Sequence, residues 1–246
     1  MKNTIILFEG RTGSTHLATL LHQSPNISFL GEEPALLKEQ GWTAQQDWIC
    51  QLFNNPLNFD DPRVKNSAKV IGFRMKLRDV LDLQAFKYIL EKYDVSIIYM
   101  RRFNLVKQAI SSIRAIDLSK AKGYYNLDHN KHQEGLAAYT IPVRRFDQTL
   151  KWIEEVDLKL QEFIKTLSQP ICEVSYEELL SNREAVLKKV IQFLDVPQFT
   201  PKEVIAKHTS DDLSEVISNF DALLSHYQGT AYAEMLTEGA SQKSSL

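Results

Sequence analysis

Short apolar runs rich in β-branched residues alternate along this chain with longer stretches whose apolar positions recur every three to four residues. Runs of the first kind at residues 4–9, 69–73, 95–100 and 171–174 predict strands. Patterns of the second kind predict helices over 14–23, 35–53, 82–92 and 104–115, the last opened by Asn104 as a cap. A long helix is predicted over 142–167, with Pro142 near its first turn and Leu150, Ile153, Leu158, Leu160 and Phe163 toward the core. Two more are predicted over 183–194 and 213–225. Strands separated by helices predict an α/β fold, with a parallel sheet flanked by helices on both faces in a single domain, residues 1–238. The polar end, residues 239–246, predicts a flexible tail.

Residues 54–66 and 119–140 break the rhythm and carry polar and aromatic side chains without a period, so they are candidate substrate elements. For the second, which holds Tyr124, Tyr125, His129 and His132, a plain flexible loop is the simpler reading.

Composition narrows the picture. The chain has 246 residues, 43% hydrophobic and 24% charged, as in ordinary globular proteins, and a formal charge of -2. That charge offers no bulk attraction to nucleic acid or anionic lipid, so any anion site is local. No long apolar run follows Met1, which predicts neither a signal peptide nor a membrane span, and a cytoplasmic location. Cys50 and Cys172 lie far apart and read as reduced thiols. His129 and His132 have no third ligand at metal spacing, and all six His read as ordinary surface or core residues.

The candidate chemistry starts at "LFEGRTGST", residues 7–15, where a strand feeds a turn containing Gly10 and Gly13 and then a helix. Glycines let such a turn bend close to a ligand, and free N–H groups at the helix start point toward an anion. Thr12, Ser14 and Thr15 add hydroxyls, and Arg11 supplies a guanidinium fork suited to phosphate or sulfate. An ATP-type loop requires G-x-x-x-x-G-K-[ST], and no Lys follows Gly13. The dinucleotide fingerprint G-x-G-x-x-G is also missing. A plain glycine turn before a capped helix is the simpler alternative. A second basic cluster, Arg101 and Arg102, follows a strand end, where open α/β sheets bind ligands. Lys107, Ser111 and Arg114 then share one helix face, unless that face is only solvated.

With these motifs the sequence resembles the sulfotransferases that use 3′-phosphoadenosine-5′-phosphosulfate, particularly the bacterial carbohydrate or lipopolysaccharide-type branch. Arg11-Thr12-Gly13-Ser14-Thr15 resembles that family's 5′-phosphosulfate loop, and Arg101-Arg102 through Ser111 its 3′-phosphate motif. "FLGEEPALL" resembles its acidic segment, which puts Glu33, before Pro34, at the catalytic-base position with Glu32 beside it. "VSYEEL", "FLDVP" and "ISNF" resemble its later elements, so the resemblance covers residues 5–232 or so. It departs from the pattern at His16 and at Phe103-Asn104. The resemblance implies a P-loop-like sheet, the phosphosulfate donor as co-substrate, no catalytic metal, and in-line transfer of a sulfuryl group to a hydroxyl of a carbohydrate, glycolipid or small alcohol. Arg11 would stabilise developing charge and Glu33 would take the hydroxyl proton. Adjacent residues of an extended segment point oppositely, so only one of Glu32 and Glu33 would face the donor. Arg74, Lys76 and Arg78 alternate and would share a face if extended, where Arg74 would meet an anionic or sugar acceptor unless that edge is only solvated. Lys207 is a surface lysine that could approach the donor. Relatives pair, so a homodimer is compatible with the resemblance. Two rivals stand beside it: a nucleotide-kinase-like phosphoryl-transfer enzyme, and a non-catalytic nucleotide- or glycan-binding protein on the same scaffold.

Overall fold

The apolar runs pair, and they pair in parallel. The computed structural model describes residues 1–122, 138–202 and 212–238. In chain order, β1 (Lys2–Phe8) is followed by α1 (Ser14–His22), β2 (Ile27–Phe29), α2 (Glu33–Leu36), α3 (Trp42–Asn54), β3 (Val70–Lys76), α4 (Leu83–Lys92) and β4 (Ser96–Arg101). Then come α5 (Leu105–Lys122), α6 (Val143–Lys165), β5 (Ile171–Ser175), α7 (Tyr176–Ser181), α8 (Arg183–Leu194), α9 (Phe220–His226) and α10 (Ala231–Thr237). The strands form one sheet, ordered β2-β3-β1-β4-β5, with every pairing parallel. This is the single α/β domain with flanking helices that the alternation predicts. Within it the chain divides into two compact units, Met1–Phe103 with Val156–Val204, and Asn104–Glu155 with Ile205–Leu246.

The first unit holds the sheet. Strand side chains alternate between faces, so Ile6, Phe8, Ile98, Met100 and Val174 pack on one side against Leu17, Leu20 and Leu21 of α1 and Val190, Ile191 and Leu194 of α8. Ile5, Leu7, Ile71, Phe73, Ile97 and Tyr99 pack on the other against Ile49 and Leu52 of α3, Phe86 and Leu90 of α4, and Leu160 of α6. Burial on both faces is why these strands read as continuous apolar runs. Around the sheet, Asp82 caps α4 through Gln84 and Ala85 N–H groups, and Ser175 with Glu178 forms a capping box that opens α7 directly from β5.

In the second unit, Val106, Ala109, Ile110 and Ile113 form the i, i+3, i+4, i+7 stripe of α5 and pack with Phe146, Leu150 and Ile153 of α6, Leu223 of α9 and Leu236 of α10. As predicted, Asn104 caps α5, its Oδ1 accepting from the Lys107 N–H at 2.8 Å.

Several expectations change. β2 was not foreseen, because three residues are too short for a period to show. The helix expected over 35–53 is interrupted at Gly41, whose φ of 87° is left-handed, and α2 begins two residues earlier than expected. Helix α5 runs past Ala115 to Lys122. The helix expected over 213–225 is a 3-10 turn at Leu213–Glu215 followed by α9, and α10 adds a helix. Leu158 is 55% exposed rather than core. At ~100° per residue it lies about 80° from Leu150, on the side away from Ile153 and Leu160. Residues 123–137, with Tyr124, Tyr125, His129 and His132, lie outside the described residues, as do Lys207 and the tail 239–246. Among the described residues no helix is long and apolar enough to cross a membrane.

β1 and β3 approach closely at Gly72, where an added Cβ would come 2.5 Å from the Thr4 carbonyl oxygen and 2.6 Å from its Cγ2. Gly72→Ala is therefore expected to lower stability by ~1–3 kcal/mol through overpacking, read as a lower denaturant midpoint at unchanged slope. An unchanged midpoint would contradict the contact.

Candidate active site

β3, β1 and β4 are adjacent and parallel, with Phe8 in register with Lys76 on one side and Met100 on the other. Whatever follows each strand must therefore emerge along the same edge, the edge at which open α/β sheets bind ligands. Residues 9–13 turn there. Arg11 has φ 67°, which costs a non-glycine residue on the order of 1 kcal/mol, and Gly13 has φ 83°. The Thr12 hydroxyl ties the turn back, donating to the Glu9 carbonyl at 2.8 Å. Gly13 is required twice, for its φ and because a Cβ would come 2.7 Å from the Tyr176 ring. α1 then begins at Ser14 with no side-chain cap and no acidic residue in its first turn. Its first N–H groups and its positive dipole end are left to attract an anion.

Three guanidinium groups surround this turn. Arg11 belongs to it. Arg74, from β3, donates from Nη1 to Thr15 Oγ1 at 2.6 Å and lies 3.5 Å from Ser14 Oγ. Arg102 donates to the Arg11 carbonyl at 3.2 Å and stacks over the Tyr176 ring at 4.3 Å. The strand period separates Arg101 from Arg102. Arg101 points to the Tyr99 face, where it lies between Tyr99 and Phe103 and pairs with Glu173 at 3.4 Å and Asp157 at 3.8 Å. Burial pulls the Arg11 guanidinium below its ordinary range, with the Arg102 charge adding to the effect. Burial does the same to Arg74, opposed by Glu32 and Glu33. Cations desolvated and crowded in this way gain from an anion placed between them.

Carboxylates line the neighbouring positions. Glu32 pairs with Lys76 and with Arg74, the latter at 3.4 Å. Glu33 pairs with Arg63 at 2.7 Å, while its Oε2 is buried without a hydrogen-bond partner. The Glu32-Glu33 segment is not extended as supposed. Glu32 precedes and Glu33 opens α2, with Pro34 fixing the first turn, so the two carboxylates diverge by helix entry rather than by strand alternation. The alternation of Arg74 and Lys76 does hold, and both lie over the Phe8 ring. It ends at Lys76, because Leu77–Asp79 is a 3-10 turn, and Arg78 pairs with Glu9 at 2.9 Å instead.

Thus Arg11, Thr12, Gly13, Ser14, Thr15, Arg74 and Arg102 come together, with Glu32 and Glu33 close by through Arg74. Arg101 is turned toward its acidic partners. Ser111 lies half-buried on α5 in the second unit. On that helix Arg114 is buried and stacks on Tyr139 at 4.9 Å, so the face is not merely solvated. Glu9, Arg63 and Tyr176 were missed by sequence reasoning. The signal for Glu9 was an acid ending an apolar strand immediately before the turn, and for Tyr176 an aromatic at a strand's carboxyl end. Among the described residues no group of three or more His, Cys, Asp or Glu side chains could hold a metal ion, and both cysteines are free.

A profile of the sulfotransferase family matches residues 4–201. No curated protein sequence matches the chain significantly. Among solved structures, a sulfotransferase from Alicyclobacillus acidocaldarius is 14% identical with a TM-score of 0.49, covering 96% of this chain and 95% of that one. Mouse sulfotransferase SULT7A1, solved in complex with PAP, is 14% identical with a TM-score of 0.48, covering 96% and 88%. The sulfotransferase domain from the curacin biosynthetic pathway is 16% identical with a TM-score of 0.46, covering 99% and 98%.

Glu9 generates a prediction of its own. Its side chain is 2% exposed, and burial pushes the carboxyl from 4.5 up to about 7 against the opposing charges of Arg78 and Lys76. The 2.9 Å contact to Arg78 favours the ionised form, but Arg78 is 33% exposed and its charge is shared with solvent, so burial dominates. With the folded value above the unfolded one, the fold is favoured by protonation, and stability falls as pH rises from 4.5 towards 7. Glu9→Gln removes that loss. The stability of the variant relative to the parent should rise by roughly 3 kcal/mol between acidic and mildly alkaline pH, measured by denaturant unfolding. A pH-independent difference would show that Glu9 titrates as an ordinary surface glutamate.

Proposed function

The chain belongs to the sulfotransferase family, and we propose that it moves a sulfuryl group from 3′-phosphoadenosine-5′-phosphosulfate to a hydroxyl of a carbohydrate, glycolipid or small alcohol, in the carbohydrate or lipopolysaccharide-type branch. The observation that carries this reading is the turn after β1. Left-handed Arg11 and Gly13, the uncapped start of α1, the Arg11 guanidinium and Arg74 on the Thr15 hydroxyl gather at one turn, and no Lys follows Gly13. A doubly anionic 5′ group suits that cradle.

When bound, the donor supplies a sulfuryl group on a phosphate leaving group. Arg11 and the first N–H groups of α1 hold the 5′ end and stabilise the charge that grows on the departing phosphate as its bond to sulfur breaks. Arg74, expected from sequence on the acceptor side, lies on the Ser14 and Thr15 hydroxyls and joins this group. In this reading Arg102, which reaches the Arg11 carbonyl, takes the 3′-phosphate, while Arg101 steadies the end of β4 through Glu173 and Asp157. The role of Ser111 rests on sequence resemblance alone. As the acceptor oxygen forms its bond to sulfur, its proton passes to Glu33, whose Oε2 has no other partner. Glu32, engaged by Lys76 and Arg74, orients those cations instead.

Glu33→Gln should retain affinity for 3′-phosphoadenosine-5′-phosphate while transfer of labelled sulfuryl groups drops ~10²-fold or more. Unchanged transfer would remove Glu33 from the mechanism. In parallel, Arg102→Ala should weaken binding of nucleotides bearing a 3′-phosphate more than of those lacking it, whereas Arg101→Ala should affect both alike. The reverse ranking would exchange the two assignments.

A further inference from the structure

The segment 54–66, which sequence marks as a substrate element, delivers a guanidinium to the proposed base. Arg63 is fixed before it arrives there. Asp61 Oδ1 accepts from the Arg63 backbone N–H at 2.9 Å and from its Nε at 2.8 Å, and Asp61 Oδ2 accepts from Nη2. That two-point grip aims Nη2 at Glu33 Oε1, 2.7 Å away. The other oxygen of the same carboxylate is buried and unpartnered.

We infer that Arg63, held by Asp61, is a positioning residue that pins Glu33 Oε1 and leaves Oε2 as the proton-accepting atom facing the acceptor hydroxyl. The inference rests on Glu33 being the base. A glutamate has three side-chain torsions, and a carboxylate free to rotate presents either oxygen from several places; one charge-assisted hydrogen bond to an anchored guanidinium removes most of that freedom. Among the described residues no other cation forms an ion pair with Glu33. Arg74 bonds Thr15 and pairs with Glu32, and Lys76 pairs with Glu32 and approaches Asp79 at 4.0 Å. Arg63 is 43% exposed along its side chain, so its replacement removes the pin without opening the core. Among the described residues its ion pairs are to Asp61 and Glu33, so its effect should pass through Glu33.

The test is a double-mutant cycle on the full chain. Single-turnover transfer from labelled donor to methyl α-D-glucopyranoside, with hydrolysis by water followed in the same reaction, gives the rate, and titration with 3′-phosphoadenosine-5′-phosphate gives donor-site affinity. Arg63→Ala should slow transfer ~10-fold or more while nucleotide affinity stays within about twofold. Arg63→Lys should recover part of the rate, since it restores a cation without the fork. In a Glu33→Gln background, Arg63→Ala should cost nothing further. An unchanged rate in Arg63→Ala, or a loss that multiplies with that of Glu33→Gln, would overturn the inference while leaving Glu33 as the base. Full activity in Glu33→Gln alone would overturn the base assignment and this inference with it.

Discussion

Parallel pairing of β1 with β3 and β4 is the constraint on which the site depends. Because Phe8 is level with both Lys76 and Met100, the residues after each strand share one edge, and the sheet carries them there without help from long loops. Glu9 to Gly13 come from the central strand, Arg74 to Arg78 from one neighbour, and Arg101 with Arg102 from the other. Side-chain alternation then sorts each group: Arg102 goes to the turn and Arg101 to Glu173 and Asp157. A strand that slipped by one residue would exchange them.

Charge at this edge is arranged in layers. A formal charge of -2 leaves the molecule without an overall attraction for nucleotides, so binding must come from cations that solvent screens poorly. Arg11 and Arg74 are such cations, since burial makes their charge costly. The carboxylates around them divide the remaining work. Glu9 balances Arg78, Glu32 balances Lys76 and Arg74, and Glu33 keeps one oxygen uncommitted. The strained φ at Arg11 belongs to the same arrangement, since backbone held outside its preferred wells persists where surrounding contacts over-determine it.

Much of this was legible in the sequence because it is local. Continuous apolar runs gave the buried strands, Gly13 and the hydroxyls after it marked the turn, and Asn104 capped a helix where its spacing placed it. What escaped reading is set by pairings far apart in the chain. The Arg74 contact with Thr15 spans 59 residues, and the Arg63 that meets Glu33 lies in a segment with no period. β2 was hidden by its length, and Leu158 by a rotation that only the partner surfaces of α6 decide. The divergence of Glu32 and Glu33 depended on Pro34 starting a helix where an extended chain had been assumed.

The central claim is that the turn after β1 recognises a nucleotide bearing anionic groups at both its 5′ and 3′ positions, without a metal. Calorimetric titration of the metal-free protein with 3′-phosphoadenosine-5′-phosphate, against ATP with Mg²⁺ in a parallel series, tests it most directly. The account requires one-to-one binding of the first nucleotide, with ATP and Mg²⁺ at least ~100-fold weaker, a margin of about 2.7 kcal/mol. Tight, Mg²⁺-dependent binding of ATP that the 3′-phosphorylated nucleotide does not displace would contradict it.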